Sequence, residues 1–375
     1  MSLNIWVIGS GAREQAIKTA CAKSSLCKSV KILSETELQV VDLRESNPDL
    51  IIFGSEEPIC NGLTDVFREK GIQCIGVSKA ISLLESSKLH AKSFIVRHNI
   101  KCAKLLKTES KEFPQVVKFD GLCKGKGVKI VYNNDEKNEF TRKFSGMKYF
   151  IEEYLDGNEI SVMSYFYEGR LINFLPARDF KRLSGEKISP NTGGMGAYCP
   201  VYLTEVQQNK LNIYLQKLEK ALITEGANFN GFIYSGLIWT RNDWYVLEYN
   251  VRLGDPECQA ILTNLKNDFL DILLNGTEPE YKDGIGACLT VAAQGYPDNP
   301  VLGDEISINE TSGKEQNIVI YPAGVKSANG KWYSAGGRVL SVCVNSDNPF
   351  PLLKNFVNNN IKMRHKYFRQ DIDIF

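Results

Sequence analysis

Glu248 and Asn250 stand two residues apart in WYVLEYN (244–250), a stretch whose residues alternate strictly, with the period of a β-strand. Residues at that spacing share one face of a strand. A carboxylate beside an amide oxygen makes a hard, all-oxygen corner, suited to Mg²⁺ when phosphate and water complete its shell. Arg252 follows, then Gly254, Asp255, Pro256 and Glu257, a turn that opens a helix with Pro at its first position. Two metal-competent oxygens, a guanidinium and two further acids so close together point to a site for phosphate and a small charged molecule. The plainer alternative is a polar strand end with solvent-facing acids.

Three glycine-rich stretches add to this reading. In KFDGLCKGKGV (118–128) a strand runs into a hairpin and out along a second strand. Gly125 and Gly127 let the backbone close over phosphate oxygens, while Lys118 and Lys126 neutralise them. No helix opening with Ser or Thr follows, so the pattern is not a P-loop. In GSGARE (9–14) a turn after a strand presents backbone N–H groups at a helix start. Glu14 stands where a dinucleotide fingerprint has its third glycine, and Arg13 supplies a bidentate phosphate contact, so a phosphate monoester fits better than a dinucleotide. In PNTGGMGAY (190–198) Gly193, Gly194 and Gly196 allow close approach of backbone to a small substrate, next to the charges of DFKR (179–182). A strand at FIEEYLDGNE (150–159) offers an edge for adenine and an acid for ribose.

These residues need a scaffold. Strands at 3–8, 30–33, 49–53 and 73–75, alternating with helices, predict a small doubly wound parallel sheet. A helix over 87–99 leads to a second module with antiparallel strands at 115–119, 128–132, 149–154, 159–167 and 171–178. A long amphipathic helix (204–226), paired strands (231–239 and 244–250) and two helices (256–264 and 267–274) complete it. Short strands and one late helix near 350–359 predict a β-rich tail. The fold class is therefore α/β and α+β multidomain, divided at 1–87, 88–279 and 280–375.

Bulk properties exclude several alternatives. In 375 residues Lys plus Arg is 45 and Asp plus Glu is 44, so net charge gives no reason to expect nucleic acid or a membrane surface. No apolar run approaches the ~18–20 residues of a spanning helix. The first residues enter a strand directly, without the pattern of a signal peptide, so the expected location is cytoplasmic. Ten cysteines without a C-x-x-C pair indicate neither zinc nor a disulfide framework. Only three histidines are present, His90, His98 and His365, which disfavours chemistry built on histidine.

GSGARE, SK(x)₃K (87–92), VVKFDGLCKGKGV, EEYLDGNE, DFKR, PNTGGMGAY and EYNVRLGDPE together resemble the phosphoribosylamine–glycine ligase family of the ATP-grasp superfamily, in order and spacing. The tail's Gly336, Gly337, Arg338 and Val339, and FRQDI (368–372), extend the resemblance over nearly the whole chain. It implies a pre-ATP-grasp domain, an ATP-grasp core with a mobile lid at about 108–160, and a small C-terminal hybrid-like domain. It also implies ATP-dependent joining of glycine to 5-phospho-β-D-ribosylamine through glycyl phosphate, with Mg²⁺ or Mn²⁺, in a monomer or homodimer. By this resemblance Lys88 and Lys118 bind ATP phosphates, and Gly125, Lys126 and Gly127 form the closing loop. Glu152, Tyr154 and Leu155 form the adenine hinge and Glu159 holds ribose, while Glu248 and Asn250 hold the metal. Asp179, Lys181, Gly193, Gly194, Arg252 and Asp255 hold glycine, its acyl phosphate or the amine; Gly11, Arg13 and Glu14 seat the ribosyl phosphate. Arg252, Lys118 and Asp179 are the expected catalytic residues.

The chain departs from the family pattern at Gln15 and Phe180, where His is usual, and at Lys124, where a small residue is usual. It also lacks a Pro-Gly-Asn-x-Gly-Thr loop after the second strand. Three other readings remain: another ATP-grasp carboxylate–amine ligase, a catalytically impaired nucleotide-binding relative, and a nicotinamide-dependent dehydrogenase using the Gly9–Gly11 turn with Glu35 or Glu37 on ribose.

Overall fold

A computed structural model describes residues 2–40, 47–123, 126–186 and 189–374. Four parallel strands form the first sheet in the order Cys27–Leu33, Leu3–Ile8, Leu50–Phe53, Gln73–Ile75. Alternate residues feed two cores. Trp6, Ile8, Ile51 and Phe53 pack with Phe67 and Leu84 on one face, and Ile5, Val7, Leu50 and Ile52 with Ala16 and Ile17 on the other. Burial on both faces explains why these strands read as continuous apolar runs.

A second sheet, antiparallel, comprises Leu105–Leu106, Tyr149–Glu153, Gln115–Phe119 and Val128–Val131. The helix Asn134–Lys143, which the strand pattern had not suggested, covers it, giving a small separate core of Val117, Phe119, Val131, Phe140 and Ile151. A third sheet runs Arg170–Asn173, Asn158–Tyr167, Gly231–Thr240, Asp243–Asn250. The helix Glu205–Thr224, capped by Thr204 in a capping box, packs behind it through Leu211, Tyr214, Leu215 and Leu218.

The single strand expected over 171–178 is two. Pro176 lies between Arg170–Asn173 and Arg178–Asp179, and proline cannot donate to a ladder. The second piece leaves for another sheet, joining Gly196–Cys199, Ile285–Ala293, Arg338–Ser346 and Val319–Pro322. That sheet crosses the expected 279/280 boundary, so the site loops at 179–196 are bonded into the tail's framework. A four-stranded antiparallel sheet, Val325–Ala328, Lys331–Ser334, Glu305–Ile308 and Ile361–Lys362, completes the tail.

The strict alternation expected over 244–250 does not hold. Leu237 pairs with Val246 but Gly236 with Glu248, so Leu247 is an extra residue, a β-bulge. Trp244 and Val246 are buried; without the bulge Glu248 would follow them into the core. Leu247 shifts the phase, so Tyr249 and Val251 enter the core while Glu248 and Asn250 stay half-exposed. Pro256 also sits one place earlier than expected, preceding the helix Glu257–Asn264 instead of opening it.

Candidate active site

The bulge gives the site its first link. Lys118, on the second sheet, donates to the Leu247 carbonyl at 2.8 Å across the gap to the third sheet. Its ammonium also meets Glu152 Oε2 at 2.7 Å. Glu152 is buried, and its other oxygen takes Lys92 Nζ at 2.6 Å. Glu152 therefore does not offer a strand edge to adenine: its backbone is laddered to Leu105 on one side and Val116 on the other. The strand ends at Glu153, leaving Tyr154 and Leu155 as the first residues beyond it. Leu155 is buried against Ala103 and Ile238, with Tyr245 and Leu247 alongside, an apolar cluster at the junction of the two sheets.

Around this junction, Lys88 Nζ donates to the Gly121 carbonyl at 2.7 Å, while Ser87 Oγ donates to Asp120 at 3.0 Å. The start of the Lys88–Arg97 helix is thus latched to the glycine hairpin. Lys126 is exposed and Gly127 buried, its carbonyl accepting from Phe119 N–H. Gly125 and Lys124 lie outside the described residues.

Across the third sheet, Glu248 takes Lys181 Nζ at 3.2 Å. The Lys181 ammonium holds the Glu248 carboxyl below the usual carboxylate range. Burial alone would lower the Lys181 value, but Tyr234, Glu248, Glu159 and Asp179 raise it well above normal. Glu159 remains exposed at the head of its strand. Gly236 faces Glu248, and a Cβ there would sit 3.1 Å from Glu248 Cγ, so glycine leaves the carboxylate its room. Among the described residues no cluster of three or more His, Cys, Asp or Glu could cage a metal. A carboxylate and an amide needing phosphate and water to complete the shell fit Mg²⁺ better than an all-protein cage.

Asp179 pairs in register with Ala197, and its Oδ1 is buried without a hydrogen-bond partner. Burial, with the Glu257 carboxylate, pushes its carboxyl well above the usual range, despite Lys181 and Arg338. Gly194, at φ +108°, passes under it; a Cβ there would lie 2.8 Å from Asp179 Oδ1 and collide with Pro256.

Several expectations need correction at this end of the site. Gly193 and Gly194 were expected to admit substrate, but what they approach is protein: Tyr296, Arg338, Pro256 and Asp179. Asp255 is held at both oxygens, Oδ2 by Arg338 at 2.7 Å and Oδ1 by Gln259 at 2.7 Å, so it anchors the loop. Arg338 also donates to the backbone carbonyls of Gly193 and Asp255. Glu14 is buried in the Gly9–Gly11 turn, accepting from Gly11 N–H at 2.7 Å and Arg13 Nε at 2.8 Å. That carboxylate takes up the Gly11 N–H that the turn would otherwise offer to an anion. The same contact argues against a pyrophosphate cofactor, and Glu35, offered for its ribose, accepts from Ser55 Oγ at 3.0 Å instead.

Arg252 is fixed from the first module: Nε to Glu56 at 3.2 Å and NH2 to Glu85 at 3.2 Å. Burial opposes its charge, but these carboxylates raise its value above normal. Glu56, Glu85 and Tyr234 are site residues that sequence reasoning missed. Glu257, in the GDPE turn, and Arg338, in GGRV (336–339), were visible in the sequence but given no role. Phe180, where the family has His, is buried against Tyr198 and Phe350 and packs the site loop onto the late helix.

The family profiles decide the assignment. The phosphoribosylglycinamide synthetase ATP-grasp (A) domain matches residues 83–258, and the C domain of the same synthetase matches 286–373. The chain belongs to the phosphoribosylamine–glycine ligase family. The ligase of Clostridium acetobutylicum is 34% identical, with 99% of each chain covered. That of Fusobacterium nucleatum is 32% identical, covering 99% of this chain and 98% of the relative. This second alignment runs over 419 positions against 375 residues, so the relative carries segments that this chain lacks. The crystal structure of the Thermotoga maritima ligase superposes with a TM-score of 0.85 at 29% identity, over 98% of this chain and 100% of that one. A biotin carboxylase domain from Hydrogenobacter thermophilus, 14% identical, shares the fold at a TM-score of 0.69, over 98% of this chain and 92% of that one. The fold is ATP-grasp, and the chain is a ligase of this family, whose superfamily uses ATP with a divalent metal. No helix of the described residues is long and apolar enough to cross a membrane.

Proposed function

We propose that the chain joins glycine to 5-phospho-β-D-ribosylamine at the expense of ATP, giving glycinamide ribonucleotide, ADP and phosphate in purine synthesis. A glycine carboxylate oxygen attacks the γ-phosphorus and ADP leaves. The ribosylamine nitrogen then attacks the acyl carbon of glycyl phosphate, phosphate departs with the C–O electron pair, and the amine gives up a proton.

One observation carries the reading: Lys118 reaches across two sheets to the bulge that turns Glu248 and Asn250 out of the core. Attack of one anion on another needs cations to offset repulsion and to hold an in-line geometry. Lys118, Lys88 and the exposed Lys126 supply that charge along the lid face, and the apolar cluster around Leu155 receives adenine with Glu159 on the ribose. Glu248 and Asn250 hold a divalent ion, Mg²⁺ or Mn²⁺, which when bound neutralises phosphate oxygens. Lys181 and Arg252 orient the glycine carboxylate and its acyl phosphate. Asp179, with an unpaired oxygen and a raised carboxyl, is suited to receive the amine's proton. Arg13, bonded to Glu14 and to the Leu253 carbonyl, meets the ribosyl phosphate. We assign the lid to about 108–160 and the location to the cytoplasm, with the chain acting as monomer or homodimer.

ADP release tests the function. With ATP, Mg²⁺, glycine and freshly generated phosphoribosylamine, release requires both co-substrates; release without the amine points to a different acceptor, and silence to a binding-only relative. Lys118→Ala removes a charge-assisted contact worth ~1.5–3 kcal/mol, so kcat/KM falls roughly ten- to hundredfold. Unchanged steady-state kinetics would take Lys118 out of the site.

A further inference from the structure

SK(x)₃K contains a second lysine, Lys92, for which the mechanism above has no task. It lies on the inner face of the Lys88–Arg97 helix, with 8% of its side chain exposed. Its ammonium is held by Glu152 Oε1 at 2.6 Å and by the Ala103 carbonyl. Glu152, 5% exposed, gives its other oxygen to Lys118, 12% exposed. One carboxylate thus sits between two ammonium groups, each on its own oxygen.

The charge count matters because all three groups are withdrawn from water. A single Lys118–Glu152 pair would be neutral, and a neutral pair attracts phosphate weakly. With Lys92 present the triad carries one net positive charge. Lys118 is the member nearest the other sheet, where the Leu247 carbonyl fixes its direction. Two of its three N–H groups are spent on Glu152 and Leu247, leaving the third for a ligand. Lys92 is the more enclosed of the two ammoniums, has no such third-sheet contact, and serves as counter-charge.

We propose that Lys92 is a positioning residue for nucleotide: it neutralises Glu152, so that Glu152 can anchor Lys118 without cancelling the charge Lys118 presents to phosphate. This rests on the reading that Lys118 binds ATP phosphate, and the experiment separates the two.

The measurement is calorimetric binding of Mg-ADP and, separately, of adenosine, on the full chain. Lys92→Met weakens Mg-ADP about tenfold, the scale of one charge-assisted contact, and leaves adenosine binding unchanged because adenosine carries no phosphate. Lys92→Arg keeps the charge and retains most of the affinity. Glu152→Gln placed in the Lys92→Met background restores Mg-ADP binding, since the charge no longer needs neutralising. Should Lys92→Met not fold, Lys92→Gln keeps a donor toward Ala103 while removing the charge, and the same pattern holds. If Lys118→Ala leaves Mg-ADP binding unchanged, the reading of Lys118 itself falls. If Lys118→Ala weakens binding but the Lys92 variant loses adenosine and Mg-ADP equally, or Glu152→Gln fails to rescue it, the charge-balancing role is overturned.

Discussion

Glu248→Gln raises the Mg²⁺ concentration needed for half-maximal ADP release by on the order of a hundredfold, the upper end of what losing even a supporting residue costs a metal site. The substitution is nearly isosteric, so the bulge and its backbone pairing remain. Two effects act in the same direction. A negative oxygen is lost from a two-residue ligand set, and Lys181, which Glu248 now holds at 3.2 Å, is left as an uncompensated cation beside the ion. Because Lys181 holds the Glu248 carboxyl below its ordinary range, the group is ionised across all working pH values. The native metal requirement should therefore stay flat on mild acidification and rise only as pH falls through that depressed value. A metal titration at saturating ATP, glycine and amine reads the change. A variant with the native midpoint and an unaltered unfolding curve would remove Glu248 from the metal site.

Arg252→Met should cost about 3–5 kcal/mol of stability at neutral pH, the scale for removing one partner of a buried ion pair. The loss comes less from the missing attraction than from what remains, since Glu85 is buried and Glu56 partly so, with no other guanidinium among the described residues bonded to them. Glu85 already has its carboxyl raised by burial, with Arg252 as the main opposing influence. Without Arg252 it rises further. A carboxyl whose folded value exceeds its unfolded one binds more protons in the folded state, so stability falls as pH climbs from the unfolded value to the folded one. The deficit of the variant is thus larger at pH 8 than at pH 5, since acidification favours the protonated carboxyl. Urea midpoints for both proteins at the two pH values measure this. A deficit equal at both would mean that Glu85 does not carry the cost.

The two substitutions probe different layers. Glu248 lies on the open face of a strand, and its loss is felt by the ligand. Arg252 ties the third sheet to the helices Glu56–Cys60 and Lys79–Ser86 of the first module, so its loss is felt by the fold as well as by the substrate. Arg338 plays a comparable part from the tail, holding Asp255 and the Gly193 carbonyl. The catalytic loops are braced from both flanking modules, which accounts for a site with few free side chains and many engaged ones.

Local chemistry was legible in the chain by itself. Residue type, glycine turns and the charged runs beside them singled out Lys118, Lys181, Glu248 and Asn250 as candidates, because each signal depends on neighbours within a few residues. The parallel first sheet was legible for the same reason, its apolar runs being broken at Gly9, Ser34, Gly54 and Gly76. What tertiary structure decided were questions of phase and of partner. Alternation from Trp244 and Val246 would send Glu248 inward, and only pairing against Gly236 and Leu237 reveals the extra residue that turns it out. Nothing near Glu152 in sequence announces two lysines 60 and 34 positions away, and nothing near Arg252 announces carboxylates from residues 56 and 85. Glu14 and Asp255 looked like ligands for substrate until the fold supplied their hydrogen-bond partners. Charge type is written along the chain, but whether a charge is spent on the protein or kept for a ligand depends on groups brought together from distant strands.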